Sequence, residues 1–288
     1  MTRVLNIHIG AHKTATTALQ STFLRNSEIL AQNGILYPDS NRLHFAHHRL
    51  SFALRGLKDH KHDDVPDFNI EIAELRKAIE DSPQPQIFIS SEEFFVCSAK
   101  QLHRLHKALD LPINIRIIAT IRRQDDYLLS VYNQRSKTIG NGFIRPLRWH
   151  VQNPRDINRE ISFFSHLKRW RKEFGANSVK LLRYEDGEPL AAMLEILGLP
   201  EKLITAPNKR VNQSTPSAVA EAVRVAKCLR LPRSGQIMVR ELATRIFSGG
   251  KRRALSDTER RKILVEFASE NDAMFSTFGM ENTYLPSD

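Results

Sequence analysis

Short apolar runs punctuate this chain, and each is followed by a stretch whose apolar residues fall three or four apart. Val4, Leu5, Ile7 and Ile9 make the first run; Ile87-Phe88-Ile89, Ile115 to Ile121 and Val179-Lys-Leu-Leu182 make the later ones. Runs of that length suit buried strands and are too short for helices. Helical spacings lie between them: Leu19, Phe23 and Leu30; residues 69–81; Leu102, Leu105 and Leu109; and Ile161, Phe164, Leu167 and Phe174. Strand followed by amphipathic helix, repeated, predicts an α/β fold with a central parallel sheet, flanking helices and right-handed crossovers.

Breakers mark the joints. Asn33-Gly34 stops the first helix, after which Ile35-Leu36-Tyr37-Pro38 reads as extended. His44, His47 and His48 fall in a short helical stretch with Leu43, Leu50 and Leu54, and residues 56–67 are polar and unpatterned, as in a mobile loop. From Asn141 to Asn158, around Trp149, no period emerges. Pro189 opens a short helix that Gly198 ends, and residues 202–215 resemble a linker. Pro216 opens another helix, and Ser256-Asp-Thr-Glu259 is a capping box that opens the last. There is no internal repeat and no low-complexity tract.

At 288 residues with 41% hydrophobic content, the chain can bury a sizeable core. Cys97 and Cys228 are its cysteines, too few for a disulfide framework or a metal cluster, which suits a reducing compartment. The first apolar run is interrupted by Asn6 and His8 and does not read as a signal peptide. No stretch approaches the roughly 18 apolar residues of a membrane span. A cytoplasmic location is expected. A net charge of +11 and a pI near 9.8 call for anionic partners. The basic residues are spread over helices and loops, and no zinc-finger, RNA-recognition or basic-zipper signature accompanies them. An anionic cofactor or acceptor fits the charge as well as nucleic acid does.

The chemistry concentrates where the apolar runs end. Gly10 closes the first, and Ala11-His12-Lys13-Thr14-Ala15-Thr16-Thr17 leads into a helix. The first N–H groups of a helix lack partners within it, and the macrodipole adds about half a positive charge there. A phosphate or sulfate would meet those amides, the Lys13 ammonium and the threonine hydroxyls together. The stretch is not the nucleoside-triphosphatase loop, because two residues separate Gly10 from Lys13 and no second glycine precedes the lysine. Glu92 follows the second strand and Arg122 the third. In parallel sheets ligands sit at the strands' carboxyl ends, so Lys13, Glu92 and Arg122 are expected in one cleft. His44 and His48 are four apart but lack the intervening carboxylate of a metalloprotease helix, and no metal is expected.

His8-Ile-Gly-Ala-His-Lys13-Thr-Ala-Thr-Thr17 resembles the 5′-phosphosulfate loop of sulfotransferases that use 3′-phosphoadenosine 5′-phosphosulfate (PAPS). That family usually has K-[TS]-G-T-T, so Ala15 replaces its glycine, a mild change if the backbone there is already helical. Thr120-Ile-Arg122 with Ser130 eight residues on resembles the arginine and serine that grip the 3′-phosphate in that family. Arg183-Tyr184-Glu185-Asp186 resembles the segment whose tyrosine lies beside the adenine. Asn212-Gln-Ser214 and the C-terminal helix look like bacterial members. Gly249-Gly250-Lys251-Arg252-Arg253 is a weak counterpart of the basic loop that completes the 3′-phosphate site. The likeness spans residues 4 to 200 in ordered pieces.

The resemblance implies a P-loop-like fold with a PAPS-binding core over 1–210 and a helical extension, packed on the core, over 211–288. It implies PAPS as sulfuryl donor, adenosine 3′,5′-bisphosphate as product, no metal, and a small-molecule, lipid or carbohydrate acceptor with a hydroxyl or amine. Lys13, Thr14, Ala15, Thr16, Thr17, Ala18, Arg122, Ser130 and Tyr184 would bind the donor, and Lys13 would also act in transfer. The family's general base is a histidine or glutamate just past a core strand. Here that place holds Ser90-Ser91-Glu92-Glu93. Glu92 is chosen, with Glu93, His47 and His48 in reserve. Two other functions stay open, a nucleotide-dependent phosphoryl-transfer enzyme and a basic nucleic-acid-binding protein.

Overall fold

The apolar runs form one sheet of five parallel strands in the order β2-β3-β1-β4-β5, where β1 is Arg3–His8, β2 Ile35–Leu36, β3 Gln86–Ser90, β4 Ile113–Ile121 and β5 Val179–Arg183. The structure is a computed structural model that describes residues 3–58, 64–205, 216–247 and 255–284. The segments 212–214 and 249–253 singled out in the sequence lie outside the described residues. The helices are α1 (Thr16–Arg25), α2 (Ser27–Gln32), α3 (His48–Arg55), α4 (Phe68–Asp81), α5 (Ala99–Ala108), α6 (Gln124–Lys137), α7 (Leu147–Gln152), α8 (Phe163–Phe174), α9 (Pro189–Ile196), α10 (Ser217–Cys228), α11 (Arg233–Ile246) and α12 (Asp257–Phe278).

The chain divides into two compact units, one of residues 1–122 and 163–209, the other of 123–162 and 210–288. The first holds the whole sheet. Its register sets His8 beside Ser90 of β3 and Ile118 of β4. Because strand side chains alternate, Leu5 and Ile7 share one face while Asn6 and His8 share the other, and all four are buried. On the His8 side, Phe88 and Ile118 join Leu19 and Phe23 of α1, Tyr37, and Leu190, Met193 and Leu194 of α9 in one cluster. The connection from β1 runs toward β2 and that from β4 toward β5 on the opposite side. The carboxyl ends of β1 and β4 therefore flank the point where the strand order reverses, which is where such sheets bind ligands.

Local chemistry shifts several expected boundaries. The first helix breaks at Asn26, whose Nδ2 donates to Thr22 O at 2.8 Å, so α1 and α2 are separate. The histidine-rich helix begins only at His48. Leu43 and Ala46 close a tight turn, with Leu43 N donating to Ala46 O at 2.8 Å and His44 left-handed at φ 59°. His44 and His48 are thus not on one helix. Asp67 caps α4 by accepting from Asn69 N and Ile70 N, and Ser98 with Gln101 forms a capping box on α5.

The regular elements among the second unit's described residues are all helices. The unit joins α10, α11 and α12 with α6 and α7, so the C-terminal segment shares its core with an excursion made between β4 and α8. Gln124 of α6 and Asn271 of α12 exchange two amide hydrogen bonds, at 2.7 and 3.1 Å, deep in that core. Asp125 is buried between Arg123 and Arg260. Burial alone would raise its carboxyl, but these two guanidiniums outweigh it and hold it below the ordinary range. Ser256 and Glu259 form the expected capping box on α12. No described helix is long and apolar enough to cross a membrane.

Candidate active site

Past His8 the chain keeps the sheet's direction, with Ile9 N donating to Ile118 O at 2.9 Å and Ala11 N to Thr120 O at 2.8 Å. It then turns sharply into α1 through two left-handed residues, Lys13 at φ 71° and Ala15 at φ 60°. Turns of this kind gather successive N–H groups into a concave surface for an anion. Thr14 Oγ1 donates to Ala11 O at 2.6 Å and braces the turn from within, which commits its hydroxyl proton and leaves its oxygen lone pairs and backbone N–H to other partners. Gly10 has no substitute here: a Cβ on it would lie 2.9 Å from both His8 Nε2 and Thr16 Cγ2. Ala15 is the residue before the first helical turn, at φ 60° and ψ 23°, and is not in the right-handed helical conformation that would make it a neutral replacement for glycine. The methyl is small, but the backbone is one that glycine adopts without strain.

Arg122 follows β4 directly and reaches that turn, where its Nη1 donates to Lys13 O at 3.1 Å. Its guanidinium lies 4.8 Å from the centre of the Tyr184 ring, in the short turn after β5. Arg122 Nε is buried and has no hydrogen-bond partner, and no carboxylate among the described residues pairs with the side chain. A buried N–H of that kind costs about 1–3 kcal/mol until something accepts from it. Lys13, Arg122 and Tyr184 therefore come together at the ends of three strands. Ser130 lies on α6, in the second unit.

Glu92 and Glu93 begin a short turn after β3 and have different surroundings. Glu93 lies 3.4 Å from His12 and pairs with Arg55. Burial pushes its carboxyl up, but His12 and Arg55 outweigh that and hold it low, so it is a committed counter-ion and a poor proton acceptor. Glu92 Oε2 accepts from Gln20 Nε2 at 3.1 Å and lies 3.9 Å from His48 Nε2. Glu92 Oε1 has no hydrogen bond to the described residues. His47 is fully buried, with Nδ1 accepting from Ser90 N at 3.1 Å and Nε2 donating to Pro38 O at 3.1 Å. Desolvation lowers its pKa to about 3, and both nitrogens are engaged by backbone. His48 Nδ1 is 2.8 Å from Ser91 Oγ, which leaves Nε2 toward Glu92.

Beneath Glu92 lies a buried polar chain that the sequence reading did not anticipate. Gln20 Nε2 also donates to Ser90 Oγ at 3.1 Å, Ser90 Oγ is 2.8 Å from His8 Nδ1, and His8 Nε2 is 3.2 Å from Thr120 Oγ1. Burial drives the His8 pKa down to about 4 against the opposing charge of Glu92, so the ring is neutral at pH 7. Gln20 donates to both Glu92 and Ser90, and the neutral His8 ring, donating through one nitrogen and accepting through the other, links the Ser90 and Thr120 hydroxyls. The signal in the sequence was a polar residue at a buried register position. Asn6 and His8 share a strand face, and Gln20 sits four residues after Thr16 on the buried side of α1. Among the described residues no three His, Cys, Asp or Glu side chains gather as a metal would require.

No family profile matches the sequence and no curated protein matches it. A sulfotransferase from Alicyclobacillus acidocaldarius does match in structure. Its TM-score is 0.52 at 12% identity, over 98% of both chains. This chain has a sulfotransferase-like fold. At that identity the likeness is one of fold alone. A structure of the PezAT toxin–antitoxin system of Streptococcus pneumoniae aligns over 85% of this chain at 12% identity, but its TM-score of 0.34 carries no argument.

Proposed function

We propose that this protein transfers a sulfuryl group from PAPS to a hydroxyl or amine of an acceptor. The observation that carries the reading is Arg122: a guanidinium at the strand-order reversal, tied to the Lys13 turn, set against an aromatic ring, and left with a buried N–H that lacks an acceptor. Arginine presents a planar charged fork suited to phosphate, and Tyr184 offers a ring face beside it. Arg122 would hold the 3′-phosphate of the donor, Tyr184 would lie near the adenine, and the turn from Lys13 to Ala18 would hold the 5′-phosphosulfate. Ser130 as a second ligand of the 3′-phosphate rests on the sequence resemblance. When bound, PAPS supplies an activated sulfuryl group.

The chain's own residues then have distinct tasks. Lys13 and the amides of the turn stabilise negative charge at the carboxyl end of β1, an effect typically worth about 3 kcal/mol for one well-placed donor. Glu92 Oε1, free of the hydrogen bond that engages Oε2, takes the acceptor's proton. Gln20 holds that carboxylate in position, and His48 completes its surroundings. Arg55 and His12 keep Glu93 neutralised, so one carboxylate of the pair stays available.

Thermal stabilisation tests the reading with adenosine 3′,5′-bisphosphate, adenosine 5′-monophosphate, ATP and a DNA duplex in parallel. The bisphosphate should stabilise the protein most. Arg122→Ala should weaken bisphosphate binding by about 2–5 kcal/mol and leave the monophosphate nearly unaffected. Stabilisation by ATP alone, or salt-sensitive binding of the duplex alone, would overturn it in favour of phosphoryl transfer or nucleic-acid binding.

A further inference from the structure

The helical unit carries an exposed surface of its own. Six of the twelve large hydrophobic side chains exposed among the described residues fall between positions 225 and 247: Val225, Leu229, Met238, Leu242, Ile246 and Phe247. They belong to α10 and α11, which pack as a hairpin, and to the residues that border these helices. On α11, Met238, Leu242 and Ile246 are four apart and form one stripe. The residues that α11 buries are Gln236 and Ala243, so the stripe is not the face it packs inward. An ordinary surface helix buries its apolar side, and this one leaves it in water.

The charge around the stripe selects its occupant. Arg230, Arg233, Arg240 and Arg245 are exposed along the same stretch, and Glu241 is the acidic residue between 222 and 247. Arg245 adjoins the stripe and Arg230 and Arg233 stand at the hairpin's turn, while Arg240 lies across the helix from it; an apolar stripe on so basic a hairpin matches a surface that is anionic outside and hydrocarbon beneath. A second copy of this chain matches less well, because symmetric pairing would bring the same arginines together. A nucleic acid would engage the arginines but leave the apolar stripe wet. We propose that the α10–α11 hairpin docks on an anionic lipid bilayer, with Met238, Leu242 and Ile246 entering the headgroup boundary and the arginines contacting lipid phosphates. This docking is independent of the reaction proposed above.

Co-sedimentation of the full chain with vesicles tests it. One set is equimolar phosphatidylcholine and phosphatidylglycerol, the other phosphatidylcholine alone, each at low and high salt. The protein should pellet with the anionic vesicles at low salt and be released by high salt. Leu242→Glu combined with Ile246→Glu should lower vesicle affinity about tenfold or more, with circular dichroism and melting temperature unchanged because both side chains are exposed. Arg230→Gln combined with Arg245→Gln should weaken binding and flatten its salt dependence. Equal pelleting with both vesicle types, or none with either, overturns the proposal. So does a dimer in sedimentation velocity that the double glutamate variant dissolves, or duplex binding with no vesicle binding.

Discussion

Glu92 and Gln20 make the sharpest test of the site, because one acts through the other. Glu92→Gln keeps the shape of the side chain and removes its basicity. It should lower kcat by about 10²–10⁴-fold and leave bisphosphate affinity nearly unchanged. Gln20→Leu removes the donor that orients Glu92 and should lower kcat by roughly 10–100-fold. In the Glu92→Gln background the second change should add almost nothing, since residues that act as one unit are not additive. Full additivity would show that Gln20 only supports the fold. Normal turnover in Glu92→Gln, with an inactive His48 variant, would move the base to His48. Glu92 was visible in the sequence because it follows an apolar run. Gln20 and His8 were not, because a polar residue in a helix or strand is ordinarily read as facing solvent, and only the register brings these two under the turn.

The turn between β1 and α1 holds an alanine where its backbone favours glycine. A left-handed alanine costs about 1–2 kcal/mol in local strain, while glycine loses about 0.4–1 kcal/mol through its freer unfolded state. Ala15→Gly should therefore leave stability unchanged or raise it by up to about 1.6 kcal/mol, as urea unfolding would measure. A clear loss would mean that the methyl makes contacts that matter more than the strain. At this scale the strands were readable because apolar runs of fixed length have few alternatives, and their parallel order followed from the helices between them. Some elements escaped, two of them for plain local reasons. The single helix expected after the turn is two, because Asn26 bonds back to Thr22 O. The helix α7 was hidden in an unpatterned stretch because its six residues span too few turns to show a period.

Three histidines make the whole molecule acid-sensitive. Burial lowers the pKa of His8 to about 4, of His47 to about 3 and of His150 to about 4, the last with both ring nitrogens unpartnered. The unfolded chain takes up these protons near an ordinary pKa of about 6.5, and the folded chain does not. Stability is thus full above about pH 6.5 and falls as pH drops toward 4, by about 1.4 kcal/mol per pH unit for each histidine still neutral in the fold. Urea unfolding at pH 7 and pH 5 should show the fall, and His47→Asn should make it shallower. Equal stability at the two pH values would contradict the buried neutral state.

The two interleaved units also set an order of events at the ribosome. The chain passes from one unit to the other after residues 122, 162 and 209. Helix α6 is synthesised early, yet its buried partner Asn271 follows Gln124 by 147 residues. At about 5–20 residues per second, α6 waits roughly 7–30 s for the strand of chain that covers it. Any product that stops before α12 leaves that face permanently open, so incomplete chains advertise themselves to chaperones and proteases by their missing last helix.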